Sequence, residues 1–184
     1  MGFVRGFKAK ADKIALDVRR KIGISPIEPL NVEALCEHMD IEVIEMTSLD
    51  CDVTKLCGND NHCFSAMLVY AGMKLAIVHN DTHHPYRQRS NICHELSHCF
   101  LGHKACHLIN DNGKRVHDGD VEAEANYLGG SLLMPREAAV YVLSNGLISR
   151  AKSLYGISQP MLDYRLRVSG AYTIYQRRRQ QLAG

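Results

Sequence analysis

The residues of this sequence best suited to chemistry lie in segment 91–103, N-I-C-H-E-L-S-H-C-F-L-G-H. His94 and His98 are four residues apart. On a helix such residues lie one above the other, so both imidazoles can reach one metal ion. Glu95 lies one position further round, where a carboxylate can take a proton from an activated water without binding the metal. The spacing therefore predicts a Zn²⁺ centre with His94 and His98 as ligands and Glu95 as the catalytic base.

A catalytic zinc site needs a third protein ligand and keeps its fourth position open. One class of HExxH proteins places a glycine and a third histidine shortly after the motif. Leu101 and Lys104 occupy those positions here, so this class is excluded. The third ligand is therefore expected from a carboxylate on a second helix.

Segment 118–135 supplies that second helix, because its apolar residues recur at helical spacing. Glu122 and Asn126 lie four apart on one face of it. We expect Glu122 to be the third metal ligand and Asn126 to orient a ligand imidazole from outside the coordination sphere. Glu124 points to nearly the opposite side of a regular helix and is the alternative ligand. The pair Gly129-Gly130 would let this helix approach a neighbour closely.

The elements that position these residues follow from the hydropathy pattern. Helices are predicted for residues 8–22 and after the capping residue Asn31, strands for 41–46, 64–70 and 73–79, and helices again after residue 85. The last two strands form a hairpin that turns at Ala71-Gly72. This order predicts an α+β fold in which a small antiparallel sheet packs against helices.

Composition restricts the classes of protein. Hydrophobic residues make up 46% of the chain and charged residues 23%, which are ordinary globular values, and no stretch approaches the ~20 apolar residues of a membrane span. The first 13 residues lack the apolar core of a secretory signal, and the seven cysteines include no C-x-x-C pair. We therefore expect a cytoplasmic chain with reduced thiols and no membrane partner. Cys51, Cys57 and Cys63, beside His62, are a weaker metal candidate because their spacing matches no zinc knuckle.

Positive charge is concentrated at the two ends of the chain. Residues 1–22 and 164–184 each carry five net positive charges, although the whole chain carries only +2. Within residues 147–170 two helices are predicted, the second carrying Arg165 and Arg167, as in a helix-turn-helix. Binding to nucleic acid is thus an alternative. Packing of this pair against the other helices is favoured, because only five arginines decorate the region.

The H-E-L-S-H helix, followed about two dozen residues later by E-x-E-A-N and L-L-M-P, resembles the ImmA/IrrE family of gluzincin-type metallopeptidases. A further match is the pattern S-x-x-x-L-x-x-R-L, here residues 158–166. The resemblance covers most of the chain. It implies a minimal zincin-like metallopeptidase domain at 1–145 and a C-terminal helical segment, helix-turn-helix-like, packing on it at 146–184. Leu128-Gly129 departs from the Phe-Ala usual in the family, a packing change that leaves the expected ligands untouched.

This resemblance implies a cytoplasmic zinc endopeptidase, often encoded on phages or mobile elements, that cleaves a helix-turn-helix repressor. The expected role of Glu95 agrees with peptide hydrolysis. One edge of the hairpin is a candidate binding site for an extended substrate by strand addition. Four side chains are candidate donors to the oxyanion: His103, His117, Tyr86 and Tyr127. The alternative function is a regulatory module that binds DNA or a repressor and has a non-catalytic zinc site.

Overall fold

The computed structural model describes residues 3–54, 56–57, 64–71, 74–103 and 119–183. In chain order these residues form α1 (Phe7–Lys21), α2 (Val32–His38), β1 (Ile41–Glu45), β2 (Ala66–Ala71), β3 (Lys74–His79), α3 (Pro85–Leu101), α4 (Gly119–Leu133), α5 (Arg136–Ser144), α6 (Ile148–Tyr155), α7 (Gln159–Val168) and α8 (Ala171–Ala183). Three features predicted above lie outside the described residues: the turn residue Gly72, the side chain of His117, and the pair His62 and Cys63. None of the described helices is both long enough and apolar enough to cross a bilayer.

The three strands form one sheet in the order β1-β3-β2. β2 and β3 are antiparallel, with Ala66 opposite His79, as the predicted hairpin requires. β1 runs parallel to β3, with Ile41 opposite Leu75, so the sheet is mixed and not wholly antiparallel. A tight turn makes β2 and β3 antiparallel, whereas β1 and β3 are not consecutive in the chain: β3 lies between β1 and β2 and returns in the direction of β1. The α+β class is confirmed, with this difference in strand direction.

The core forms where α3 and α4 pack against each other and α1 packs on α4. The apolar residues of α1 face the core, with Ala11 and Ala15 fully enclosed. Asn31 caps α2 as predicted, because its side chain accepts a hydrogen bond from the Ala34 amide at 3.0 Å. α2 and α3 flank the sheet, so the helix that carries the HExxH motif has one side against β2 and β3.

Two buried arginines bind the carbonyl end of α4. One guanidinium nitrogen of Arg19 donates to the Leu132 carbonyl at 2.8 Å, and Nε of Arg165 donates to the Met134 carbonyl at 2.9 Å. Cations are favoured at this end of a helix, where four carbonyls lack partners within the helix. Burial lowers the pKa of Arg19 to about 10 against the raising effect of nearby groups such as Tyr155. These contacts fix the C-terminal end of the helix that carries Glu122.

The C-terminal helix pair follows the predicted pattern. α6 ends at Gly156, whose φ of 61° lies in the left-handed region that glycine adopts without strain. Ser158 then caps α7 by accepting from the Met161 amide at 3.3 Å. Arg165 on α7 is fully buried, however, whereas Arg167 is exposed. A phosphate backbone therefore could not reach Arg165, one of the arginines that suggested the DNA-binding alternative.

Candidate metal centre

α3 presents its two histidines because its opposite side is held in the core. His84 caps the helix by accepting from the Tyr86 amide at 3.2 Å, and Pro85 occupies the first turn, where its missing N–H has no consequence. Ile92 and Leu96 are buried on the core side. Residues 94 and 98 therefore lie on the accessible side and are only partly buried.

α4 reaches this side of α3 by a close backbone approach. A Cβ atom added to Gly129 would lie 3.2 Å from both the carbonyl oxygen of Cys93 and the amide nitrogen of His94. Ordinary van der Waals contact begins at about 3.5 Å, so only glycine leaves the two helices at their present separation. The close approach predicted for Gly129-Gly130 is confirmed, and its neighbour is the HExxH helix itself.

Three potential ligand atoms converge where the two helices meet. Nε2 of His94 lies 3.1 Å from Nε2 of His98 and 3.1 Å from a carboxylate oxygen of Glu122. The other Glu122 oxygen lies 3.8 Å from Nε2 of His98. Two Zn–N bonds of about 2.0–2.1 Å at a tetrahedral angle would separate their nitrogens by roughly 3.3 Å. The spacing and chemistry of this group, whose ligand atoms all lie within 4.8 Å of one another, fit a zinc ion.

Each imidazole of the group has a partner at its other nitrogen. Nδ1 of His94 lies 3.0 Å from the amide oxygen of Asn126, the contact expected of that residue. Nδ1 of His98 lies 3.0 Å from Nδ1 of His103, whose Nε2 lies 3.3 Å from a carboxylate oxygen of Glu124. Glu124, the alternative third ligand, thus contacts His103, whereas Glu122 faces both HExxH histidines. Sequence reasoning did not find the His98–His103 contact. The signal available was Gly102, which ends α3 and turns the chain back.

Glu95 on α3 faces the sheet. Its side chain is buried, and one of its oxygens accepts a hydrogen bond from the backbone N–H of Leu68 on β2 at 3.1 Å. β2 is at the edge of the sheet, and because this N–H bonds Glu95 it points away from β3 to the open edge. The contact orients the carboxylate and brings the edge strand next to the candidate metal site.

The carboxylates change the protonation of His94. Burial by itself would lower the pKa of His94, but its hydrogen bond with Glu122 and the charges of Glu95 and Glu122 outweigh burial and raise that pKa above its usual value. A site that stabilises positive charge in the absence of metal also favours a divalent cation. The electrostatics of the group therefore agree with its geometry.

Among the candidate oxyanion donors, Tyr127 does not face the group. Its hydroxyl donates to Asp12 at 3.2 Å, and its ring packs against Phe3 and Phe7 on the side of α4 that faces α1. The ring of Tyr86 contacts that of His84 at the start of α3. His103 is engaged by His98 and Glu124.

The family model of the Peptidase M78 family, the IrrE N-terminal-like domain, matches residues 36–167. This chain belongs to that family. The matched range contains the HExxH helix, α4 and most of α7. No curated protein matches the sequence.

Among solved structures, a Mycobacterium tuberculosis transcriptional regulator superposes on 89% of this chain with a TM-score of 0.55 and 13% sequence identity. This Peptidase M78 chain spans 47% of the length of that structure, about half. At this identity the likeness establishes a shared fold.

Proposed function

We propose that this member of the Peptidase M78 family is a zinc-dependent endopeptidase. The observation that carries the proposal is the convergence of His94, His98 and Glu122 beside the carboxylate of Glu95. A site of two imidazoles and one carboxylate leaves room for water and substrate, as catalytic zinc sites require. The family supports a peptide bond as the bond that is hydrolysed.

Each residue has a distinct task in this proposal. A zinc ion held by His94, His98 and Glu122 would supply the Lewis acidity that polarises the scissile carbonyl and acidifies the attacking water. Glu95 accepts the proton of that water and passes it to the departing amine. The hydrogen bond from Leu68 holds Glu95 in one orientation, which reduces the reorganisation needed during proton transfer.

β2 is the element that we propose binds the substrate. It lies at the sheet edge and contacts α3. Since the Leu68 N–H points away from β3, the alternation of a strand directs the N–H of Tyr70 to the same open edge. An extended peptide that pairs with this edge would run past Glu95, which would bring its backbone to the candidate metal site.

We propose a helix-turn-helix repressor as the substrate, and a cytoplasmic location because repressors act there. The similar M. tuberculosis structure is that of a transcriptional regulator, which supports a link to gene regulation. We further propose that the chain divides into a peptidase domain at 1–145 and a helical segment at 146–184 that packs on it.

The second candidate function is a regulatory module that binds DNA or a repressor without cleaving it. The exposed arginines Arg177, Arg178 and Arg179 on α8 favour it, since such a cluster attracts phosphates. The burial of Arg165 argues against it. The two functions differ in whether they depend on Glu95.

The deciding experiment compares the wild type with Glu95→Gln and Glu122→Ala. Each protein is mixed with the purified product of a neighbouring repressor gene, and cleavage is followed by mass spectrometry while zinc is measured by metal analysis. We expect Glu95→Gln to keep its zinc and lose cleavage, because glutamine can still accept the Leu68 N–H but cannot take a proton. Glu122→Ala should lose both its zinc and its cleavage activity.

Two results would contradict the proposal. A wild type that purifies without zinc and does not take it up would remove the metal centre. Regulation of the repressor that survives Glu95→Gln, with no cleavage product in either protein, would establish the non-catalytic module instead.

A further inference from the structure

We propose that His103 and Glu124 form a hydrogen-bonded relay that orients the imidazole of His98 for metal binding. This inference rests on the proposed zinc site and adds two residues that do not touch the metal. The relay runs from Nδ1 of His98 to Nδ1 of His103 over 3.0 Å, and from Nε2 of His103 to Glu124 over 3.3 Å.

The proton positions along the relay are determined from both ends. Nε2 of His98 must offer a lone pair to the metal, so the proton of a neutral imidazole lies on Nδ1. That N–H donates to Nδ1 of His103, which must then carry its own proton on Nε2. The second N–H donates to the carboxylate of Glu124, which only accepts. Each nitrogen of the two rings therefore has one role, and no alternative tautomer satisfies all of them.

Burial makes this arrangement effective. The side chains of His98, His103 and Glu124 are 16%, 11% and 23% exposed, respectively. Water therefore competes poorly for these hydrogen bonds, and a carboxylate at the end of such a chain polarises the bonds before it. The result is a more basic and better oriented Nε2 on His98.

The fold explains how His103 reaches His98 although it lies beyond the helix. Gly102 ends α3 in the left-handed conformation, with φ of 67°. The amide of His103 then donates to the carbonyl of His98 at 3.0 Å, so the chain folds back onto the last turn of the helix. Glu124 completes the contact from α4, two residues after the proposed ligand Glu122.

The two proposed metal imidazoles are thus supported differently. His94 has the neutral amide of Asn126, whereas His98 has a ring that is itself anchored by a carboxylate. The loss of an outer hydrogen bond to a metal-bound histidine typically weakens metal binding by about 10- to 100-fold. A contact that merely joined α3 to α4 would alter folding stability without altering the geometry at the metal.

The experiment uses the full chain and the variants His103→Phe, Glu124→Ala and Glu124→Gln. Zinc affinity is measured by competition with a coloured chelator, and Co²⁺ is substituted to record its visible absorption. We expect His103→Phe and Glu124→Ala to weaken zinc binding by about 10- to 100-fold and to change the cobalt spectrum. Glu124→Gln should restore most of the affinity and the wild-type spectrum, because its amide oxygen can still accept from His103.

The outcomes separate the relay from the proposed function. If the wild type binds zinc and all three variants bind it equally well with unchanged spectra, the relay alone is refuted. The relay is also refuted if Glu124→Gln is as weak as Glu124→Ala. A wild type that binds no zinc overturns both proposals. If His103→Phe does not fold, the comparison of alanine with glutamine at position 124 still decides.

Discussion

Gly129 lies at the contact between α4 and α3, so its substitution tests whether the separation of these helices determines the metal site. Glu122, Asn126 and Gly129 follow one another at helical spacing on the same face of α4. A change that pushes Gly129 away from α3 must therefore move Glu122 away from His94, whose Nε2 is 3.1 Å from it. We consider Gly129→Val and Gly129→Ala.

The expected change in stability follows from the contacts of Gly129 with α3 and from helix propensity. The first added carbon would lie 3.2 Å from Cys93 and His94 backbone atoms, which cannot rotate aside as a side chain can. For alanine, a gain of about 1 kcal/mol in helix propensity offsets a displacement of a few tenths of an ångström. For valine the gain is about 0.4 kcal/mol, while two further methyl groups cause overpacking of about 1–3 kcal/mol. We expect Gly129→Ala to be within about 1 kcal/mol of the wild type and Gly129→Val to lose about 2 kcal/mol.

Urea unfolding of the metal-free protein measures this stability, and chelator competition measures zinc affinity. Ala123→Val is the matched control, because it adds a β-branched residue to the same helix at a position that lines an open groove beside α7. We expect Gly129→Val to bind zinc more weakly than Ala123→Val does. Equal zinc affinity and stability in the two valine variants would refute the inference that the glycine contact sets the position of Glu122.

Three further predictions concern the strand edge, the outer contact of His94 and a buried histidine. Tyr70→Pro should lower kcat/KM about fivefold with zinc content unchanged, because proline removes one outward N–H worth about 1 kcal/mol. Tyr70→Ala, at a 66% exposed position, keeps that N–H, and equal rates in the two variants would exclude pairing at this N–H. Asn126→Leu should weaken zinc binding, measured by chelator competition, about 10- to 100-fold, whereas Asn126→Asp retains an acceptor and should not. Equal zinc affinities in the two variants would contradict the orienting role of Asn126. Burial lowers the pKa of His79 despite nearby Asp81, so the unfolded chain binds the proton more readily and wild-type stability should fall as the pH drops below about 6.5. In urea unfolding, His79→Phe should lack this part of the pH dependence. If the free energy of unfolding falls equally with pH in the wild type and the variant, the role of His79 is contradicted.

Much of the site could be predicted because its parts are local. The four-residue spacing of His94 and His98 places both rings on one side of any regular helix. The same argument puts Glu122 and Asn126 together on α4, and the glycine pair indicated a close neighbour. These inferences needed only the periodicity of an α-helix, 3.6 residues per turn.

The strand direction and the burial of Arg165 could not be predicted in the same way. β1 pairs with β3, which is not the next strand in the chain, so no single turn imposes their relative direction. Arg165 carries a charge and follows the pattern of a surface helix, yet it is buried because the carbonyl end of α4 offers it partners. Its position depends on a helix that is far away in the sequence.

The sequence by itself determined which side chains share a helix face, because the rise and turn of a helix are properties of the backbone. Only the tertiary structure decided that Glu122 faces His94 and His98 while Glu124 meets His103. That choice depends on how α4 is rotated and how closely it approaches α3. Both quantities are set by packing among residues that are distant in the chain, including the contact of Gly129 with the backbone of Cys93 and His94.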